Sequence, residues 1–326
     1  MPRPALVLLA CLAAAGPLAG CAASGPVAVA APSGADPTAL VPWRGGVAVA
    51  AGPLVRLVRG GAVVRDVALP APVLALAGRD TLWAATAAGL FALAAPDAAP
   101  EPVALPTRRP ARVLSVAEGA DGRVWVGTAH DGAFVRDGAG WAGVSGASPV
   151  AGVAPVGSDV WLGTHQGVSR RGPDGAGVRF TEEGTTEHGL VDNVVDRLFA
   201  TADGVVWAVH PAGVSVFADG SPHGFAFVGR RGGALLDAVA LPGGGHVLAT
   251  TGGVLYVPAL SDAPGGFYEV YADSGADAAP LPAAAPPAAL GGAVPTRLAV
   301  DGGALWLASA GGVWSVPLDA VPDGRP

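Results

Sequence analysis

Residues 123–135 read RVWVGTAHDGAFV. Apolar residues flank Trp125, a Gly-Thr pair follows, and after a short turn Gly132 opens a second alternating run. Alone, the stretch offers a histidine and an aspartate on a loop between two strands. The same pattern recurs along the chain: TLWAATAAGLFAL at 81–93, DVWLGTHQGVS at 159–169, VVWAVHPAGVSV at 205–216, GHVLATTGGVLYV at 245–257 and ALWLASAGGVWSV at 304–316. A weaker copy, GVAVAAGPLVRLV, covers 46–58. Tryptophan fills the central place at 83, 125, 161, 207 and 306, and Ala48 and Val247 fill it in the other copies. Successive spacings run from 35 to 59 residues and average about 43. Seven copies at that period predict a β-propeller, in which each blade is a four-stranded sheet.

Each unit can be filled in from its neighbours. An apolar strand precedes the tryptophan strand at 73–77, 112–118, 194–200, 235–241 and 296–300. Asp121-Gly122, Asp203-Gly204 and Asp301-Gly302 lie between the two. Asp-Gly between apolar runs predicts a tight hairpin with φ > 0 at both turn positions. The chain therefore reads as strands A, B, C and D of an antiparallel blade, seven times over, across residues 38–320. The tryptophan on strand B is expected to fill the wedge between neighbouring blades. After strand C at 312–317 only LDAVPDGRP remains. A strand from Pro26–Ala31 is expected to complete the last blade and close the ring. The Pro/Ala-rich stretch near 275–295 accounts for the widest spacing and reads as a mobile loop.

Composition agrees with an all-β fold. Fifty glycines and 31 prolines among 326 residues supply turns, and 51% hydrophobic residues supply a core. All 19 basic residues are arginines, no run of them occurs, and the net charge is −7. That balance excludes nucleic acid as a partner class.

The first twenty residues read as a targeting segment. MPRPALVLLACLAAAGPLAG has one early arginine, an apolar run from Ala5 to Ala15, and a Gly16-Pro17 break. The run is too short for a membrane span and suits a secretory signal peptide. LAGC at 18–21 resembles the bacterial lipoprotein box. That resemblance implies cleavage before Cys21 and a lipid on its sulfur. The only other cysteine, Cys11, would leave with the signal, so the mature chain would carry one cysteine at its first position. Residues 1–20 are thus assigned to the signal, 21–37 to the lipidated cysteine and a flexible tether, and 321–326 to a tail. In a host with two membranes, the resemblance implies that Ala22 after the cysteine favours the outer one, with the periplasmic side or the cell surface as the exposure.

Residues 178–216 resemble the two-component-regulator propeller repeat through Gly189-Leu190, Asn193, Asp203-Gly204 and Trp207. Gly127-Thr128 and Gly163-Thr164 preserve the Gly-Thr of that repeat, which Ala208-Val209 replaces. The resemblance implies a propeller used for extracytoplasmic sensing, in that family usually beside a membrane-bound kinase. The chain shows no kinase region.

Six histidines remain to be explained. In a propeller the D–A and B–C connections share one face, here called the top. His130, His165 and His210 fall at B–C turns of successive blades, and His188 falls in a D–A loop between two of them. With Asp131, they form the candidate ligand-binding set, and Glu187 and Asp192 lie close in sequence. Imidazole there could hold a divalent metal or act as a base. The plainer reading is polar turn residues facing water. His223 and His246 belong to the other face. Gly243-Gly244-Gly245 lacks the Lys-Ser/Thr of a phosphate loop, and Ser169, Ser215 and Ser315 lack a nucleophile elbow. The expectation is an exported, lipid-anchored, monomeric propeller that binds a protein, peptide or glycan, with no cofactor required and no catalytic residue assigned. Two alternatives stand beside it. One is a sensory partner of a separately encoded kinase. The other is a propeller lyase or hydrolase: the streptogramin lyases use histidine and acid on the top face, which would make His130, His165, His188 or His210 the base.

Overall fold

The structure is a computed structural model that describes residues 28–32, 34–138, 140–182, 189–218, 223–225, 233–258 and 279–321. Seven four-stranded antiparallel sheets make a seven-bladed β-propeller. The innermost A strands are Ala39–Trp43, Val73–Gly78, Val113–Glu118, Val150–Val156, Arg197–Ala200, Leu235–Ala240 and Arg297–Asp301. Neighbouring A strands contact each other from blade 1 through blade 5 and from blade 6 through blade 7 back to blade 1, and Arg197 Nη1 joins blade 5 to the Leu236 carbonyl of blade 6. Two of them, ALVPW and VAGVAPV, were not singled out by the sequence pattern, because their Pro42 and Pro155 interrupt the apolar run.

The tryptophan position is buried in every copy, at 8% exposure or less, including Ala48 and Val247. Each tryptophan packs against the next blade. Trp83 lies with Val113 and Val124, Trp125 with Val150 and Leu162, and Trp161 with Leu198 and Phe217. Trp207 lies with Leu235 and Leu248, and Trp306 crosses to Val47 and Val58 of blade 1. Where the position is small, a tryptophan arrives from elsewhere. Trp43 of strand A fills the seam between blades 1 and 2, and Trp314 of strand C fills the seam between blades 6 and 7. The wedge volume thus has a large ring at all seven seams.

Close approach of blades explains the glycine two places after the tryptophan. A Cβ on Gly163 would stand 2.7 Å from Val195 and 2.8 Å from Leu198 of blade 5.

The A–B turns differ from the expected form. Gly122 and Gly204 have positive φ, but Asp121 and Asp203 do not. In both, the glycine N–H donates to the carbonyl three residues earlier, Gly119 or Thr201. This is a type I turn followed by a left-handed glycine, and the aspartate's carboxylate turns back to the backbone N–H of Arg123 or Val205. Turns with two positive φ values occur at Arg44-Gly45 and Gly302-Gly303. Asp301 itself ends strand A.

Ala28–Ala30 completes the seventh blade, within the stretch expected to do so, pairing antiparallel with Gly312–Trp314. This strand therefore lies inside the segment assigned above to the tether. Val29 is buried among Val47, Val58 and Val313. Arg56 of blade 1 donates to the carbonyls of Ala30, at 2.7 Å, and Ala31, while holding Asp66 in a 2.6 Å ion pair.

The Pro/Ala-rich stretch is not slack where it is described. Ala279–Pro280 is strand D of blade 6, and two 3-10 turns follow at Pro282–Ala284 and Ala288–Leu290. Leu281, Ala284 and Leu290 are buried against blade 7. Leucines spaced through the alanines anchor it, which composition alone conceals.

Candidate functional site at the mouth of the cavity

The A strands bound a cavity of about 1070 Å³ on the ring axis. Strand A begins at the top, so Arg112, Arg197, Asp196, Asp237 and Arg297 lie toward the top end, and Arg79, Glu118 and Thr201 toward the bottom. His130 and His165 also line it, from the B–C turns of blades 3 and 4, and both are exposed. Asp131 is half-buried, and its backbone N–H donates to Thr128 Oγ1 at 2.9 Å.

That last contact belongs to a repeated device. Three residues after the tryptophan place stand Thr86, Thr128, Thr164 and Thr250, all buried. Each hydroxyl donates to the carbonyl of the glycine opening strand C, at 2.8–3.0 Å, and accepts a turn N–H. His210 occupies this same place in blade 5. It is set apart from His130 and His165, which stand one or two residues further on. His210 is 4% exposed. Its Nδ1 lies 2.9 Å from the Val194 carbonyl, which can only accept, so Nδ1 carries the proton. Nε2 then accepts from Ser215 Oγ at 3.0 Å, and Ser215 in turn accepts from the Val191 N–H. Burial holds this imidazole below its ordinary pKa, against the opposing pull of the Val194 carbonyl and the Asp192 and Asp196 carboxylates. A neutral, fully hydrogen-bonded histidine is a turn staple, and its ring nitrogens have no free lone pair for a ligand.

His188 and its neighbour Glu187 lie outside the described residues. Among the described residues no group of three His, Cys, Asp or Glu side chains is placed to hold a metal ion. His246 sits on the bottom face as expected. Its Nε2 is 2.9 Å from Asp203 Oδ2, close enough for an ion pair but not aligned as a hydrogen bond. Burial outweighs that attraction and lowers its pKa.

The charged groups that dominate the mouth are the ones the sequence reading passed over. Pairing places Arg197 opposite Val209, Asp237 opposite Ala249 and Arg297 opposite Ala308. Each partner stands two residues after the tryptophan place, so the three occupy one register position in blades 5, 6 and 7. The same position holds Ala39, Ala75, Ser115 and Gly152 in blades 1 to 4. One arc of the mouth is charged and the facing arc is small. A signal was present in the sequence: DRLFA and TRLAV begin two A strands with arginine before the apolar run.

Fold and cavity together define a seven-bladed propeller with an open polar mouth. In fold the chain is similar to the extracellular domain ascribed to a hybrid two-component system of B. thetaiotaomicron, with 17% identity and a TM-score of 0.63 over 88% of this chain and 39% of that one. It is similar to virginiamycin B lyase from Staphylococcus aureus, with 12% identity and a TM-score of 0.63 over 89% of this chain and 98% of the lyase. It is also similar to PorZ, a surface component of the type-IX secretion system of Porphyromonas gingivalis, with 16% identity and a TM-score of 0.59 over 89% of this chain and 48% of PorZ. The chain thus spans about two-fifths of that extracellular domain's length and about half of PorZ. No protein-family model and no curated protein matches the sequence.

Proposed function

We propose that the protein is an exported, lipid-anchored binding module that takes its ligand at the top mouth of the cavity. The observation that carries this reading is the direction in which the strand Ala28–Ala30 runs. Ala30 pairs with Gly312, which opens strand C at the top, and Ala28 pairs with Trp314, further down. The chain therefore comes into the propeller from the bottom face. Cys21 precedes Ala28 by seven residues, which extend at most about 25 Å. A lipid on Cys21 would hold the bottom face near the membrane and turn the mouth, with His130, His165, Arg197 and Arg297, away from it. The likeness to the extracellular domain of a two-component protein and to a bacterial surface component supports a role outside the cytoplasm. The fold alone leaves the ligand open.

Two measurements test this. Cys21→Ser should move the protein from the membrane fraction to the soluble fraction, and retention of the variant would count against the anchor. Screening peptides, sugars and divalent metals by thermal shift should find ligands that raise the melting temperature by mass action. Ala151→Trp, which places a large ring on the cavity wall, should abolish that rise. A rise unchanged by the plug would place binding elsewhere.

A further inference from the structure

The charged arc has features that a purely structural role leaves unused. Arg297 is a stitch between blades: Nε donates to the Thr38 carbonyl at 2.7 Å, and Nη1 to the carbonyls of Leu236 and Thr296. Among the described residues its Nη2 has no partner. Arg197 donates through Nη1 to the same Leu236 carbonyl, and its guanidinium lies 5.2 Å from the Phe199 ring centroid. The two guanidiniums thus converge on one carbonyl. A single carboxylate, Asp237, stands between them. It accepts from the Leu298 N–H at 2.9 Å and reaches Arg197 Nη2 at 3.5 Å.

We propose that Arg197 and Arg297 form a recognition site for the oxyanion, carboxylate or phosphate, of a small ligand whose apolar body lies in the cavity. This rests on the reading that the top mouth is the binding mouth. Among the described residues only Asp237 comes within ion-pair distance of this couple, while Asp36 attracts Arg297 from further away, and Arg297 Nη2 keeps its donors open in a partly desolvated place, where an added oxyanion gains most. Burial and the neighbouring Arg197 lower the pKa of Arg297 to about 10, against the pull of Asp237 and Asp36, which leaves it charged at neutral pH. Other charges on the wall are Arg112, His130, His165 and Asp196 at the top and Arg79 and Glu118 at the bottom. Across the ring from the charged arc, half-buried Leu74, Ala75 and Leu114 line the cavity wall. Guanidinium forks match a planar carboxylate or a phosphate through paired N–H donors, and the apolar wall opposite suits an apolar ring or chain.

The test is calorimetric titration of the full chain in detergent with benzoate, phenyl phosphate and benzamide. Benzoate or phenyl phosphate should bind at least about tenfold more tightly than neutral benzamide, and whichever of the two binds better identifies the oxyanion. Arg197→Gln should weaken that binding about tenfold or more. Asp237→Asn should tighten it, because the competing charge is removed while the amide oxygen still accepts from Leu298. That gain is one a merely structural role would not produce. Equal binding of benzamide and benzoate would overturn the oxyanion site and leave the cavity as a binding mouth. Failure of all three to bind, with the protein folded, would count against both. An unchanged affinity in Arg197→Gln would also overturn the assignment, and this variant spares the Arg297 stitches on which folding depends.

Discussion

His210 shows why residue type and spacing mislead at the finest scale. It, His130 and His165 stand within two positions of one another in the repeat, yet its ring is sealed in a turn while the other two face the mouth. The distinction rests on counting from the tryptophan, which puts His210 in the threonine place. His210→Ala leaves the Val194 carbonyl and Ser215 without their partner and should cost ~1–3 kcal/mol, read as a lower melting temperature at pH 8. The pH dependence has a definite sign. Burial lowers the pKa of both His210 and His246 in the fold, so the unfolded chain binds more protons in acid. Their stabilisation is complete above the ordinary imidazole value of about 6.5 and is lost as the pH falls toward their lower folded values. The melting temperature should fall as the pH drops below about 6.5, and His210→Gln with His246→Gln should flatten that fall. A wild-type profile flat between pH 7 and 5 would refute this account of the two histidines. Asp131 was legible as a member of the candidate set through its place beside His130, whereas Arg197, Asp237 and Arg297 shared one position only once strand register was known.

At the scale of the strand, the repeat was legible because the seam demands a large ring at one position of strand B. Blades 1 and 6 were the weak copies because their rings come from strand A and strand C instead. Trp314 is 1% exposed and takes the role that Val247 cannot fill. Trp314→Ala should therefore cost as much as removing a tryptophan from strand B, ~3–5 kcal/mol, measured by urea unfolding. Trp141, half-buried on an outer strand, should cost much less in the same measurement. Equal losses would show that the seam is not where the stabilisation lies. The turns were legible as turns, but their type was not. Asp-Gly alone does not reveal that the loop starts two residues earlier, at Gly119 or Thr201.

At the scale of the whole molecule, seven blades make a ring only if the last is joined to the first. Trp306, Arg56 and Arg297 all reach across that joint. The closing strand was expected within Pro26–Ala31 and is found at Ala28–Ala30, paired with Gly312–Trp314. Val29→Asp would put a charge into the seam between blades 7 and 1 and should lower the melting temperature by roughly 5 °C or more. An unchanged melting temperature would mean that the ring holds without its N-terminal strand. The same strand sets the direction of the molecule, because it rises from the bottom face toward the mouth. The account therefore turns on what precedes it. Mass spectrometry of the N-terminal peptide, from protein extracted out of its own membranes, measures that directly. The predicted result is a chain beginning at Cys21 with a lipid on its sulfur. A chain beginning at any other residue, or an unmodified Cys21, would contradict it.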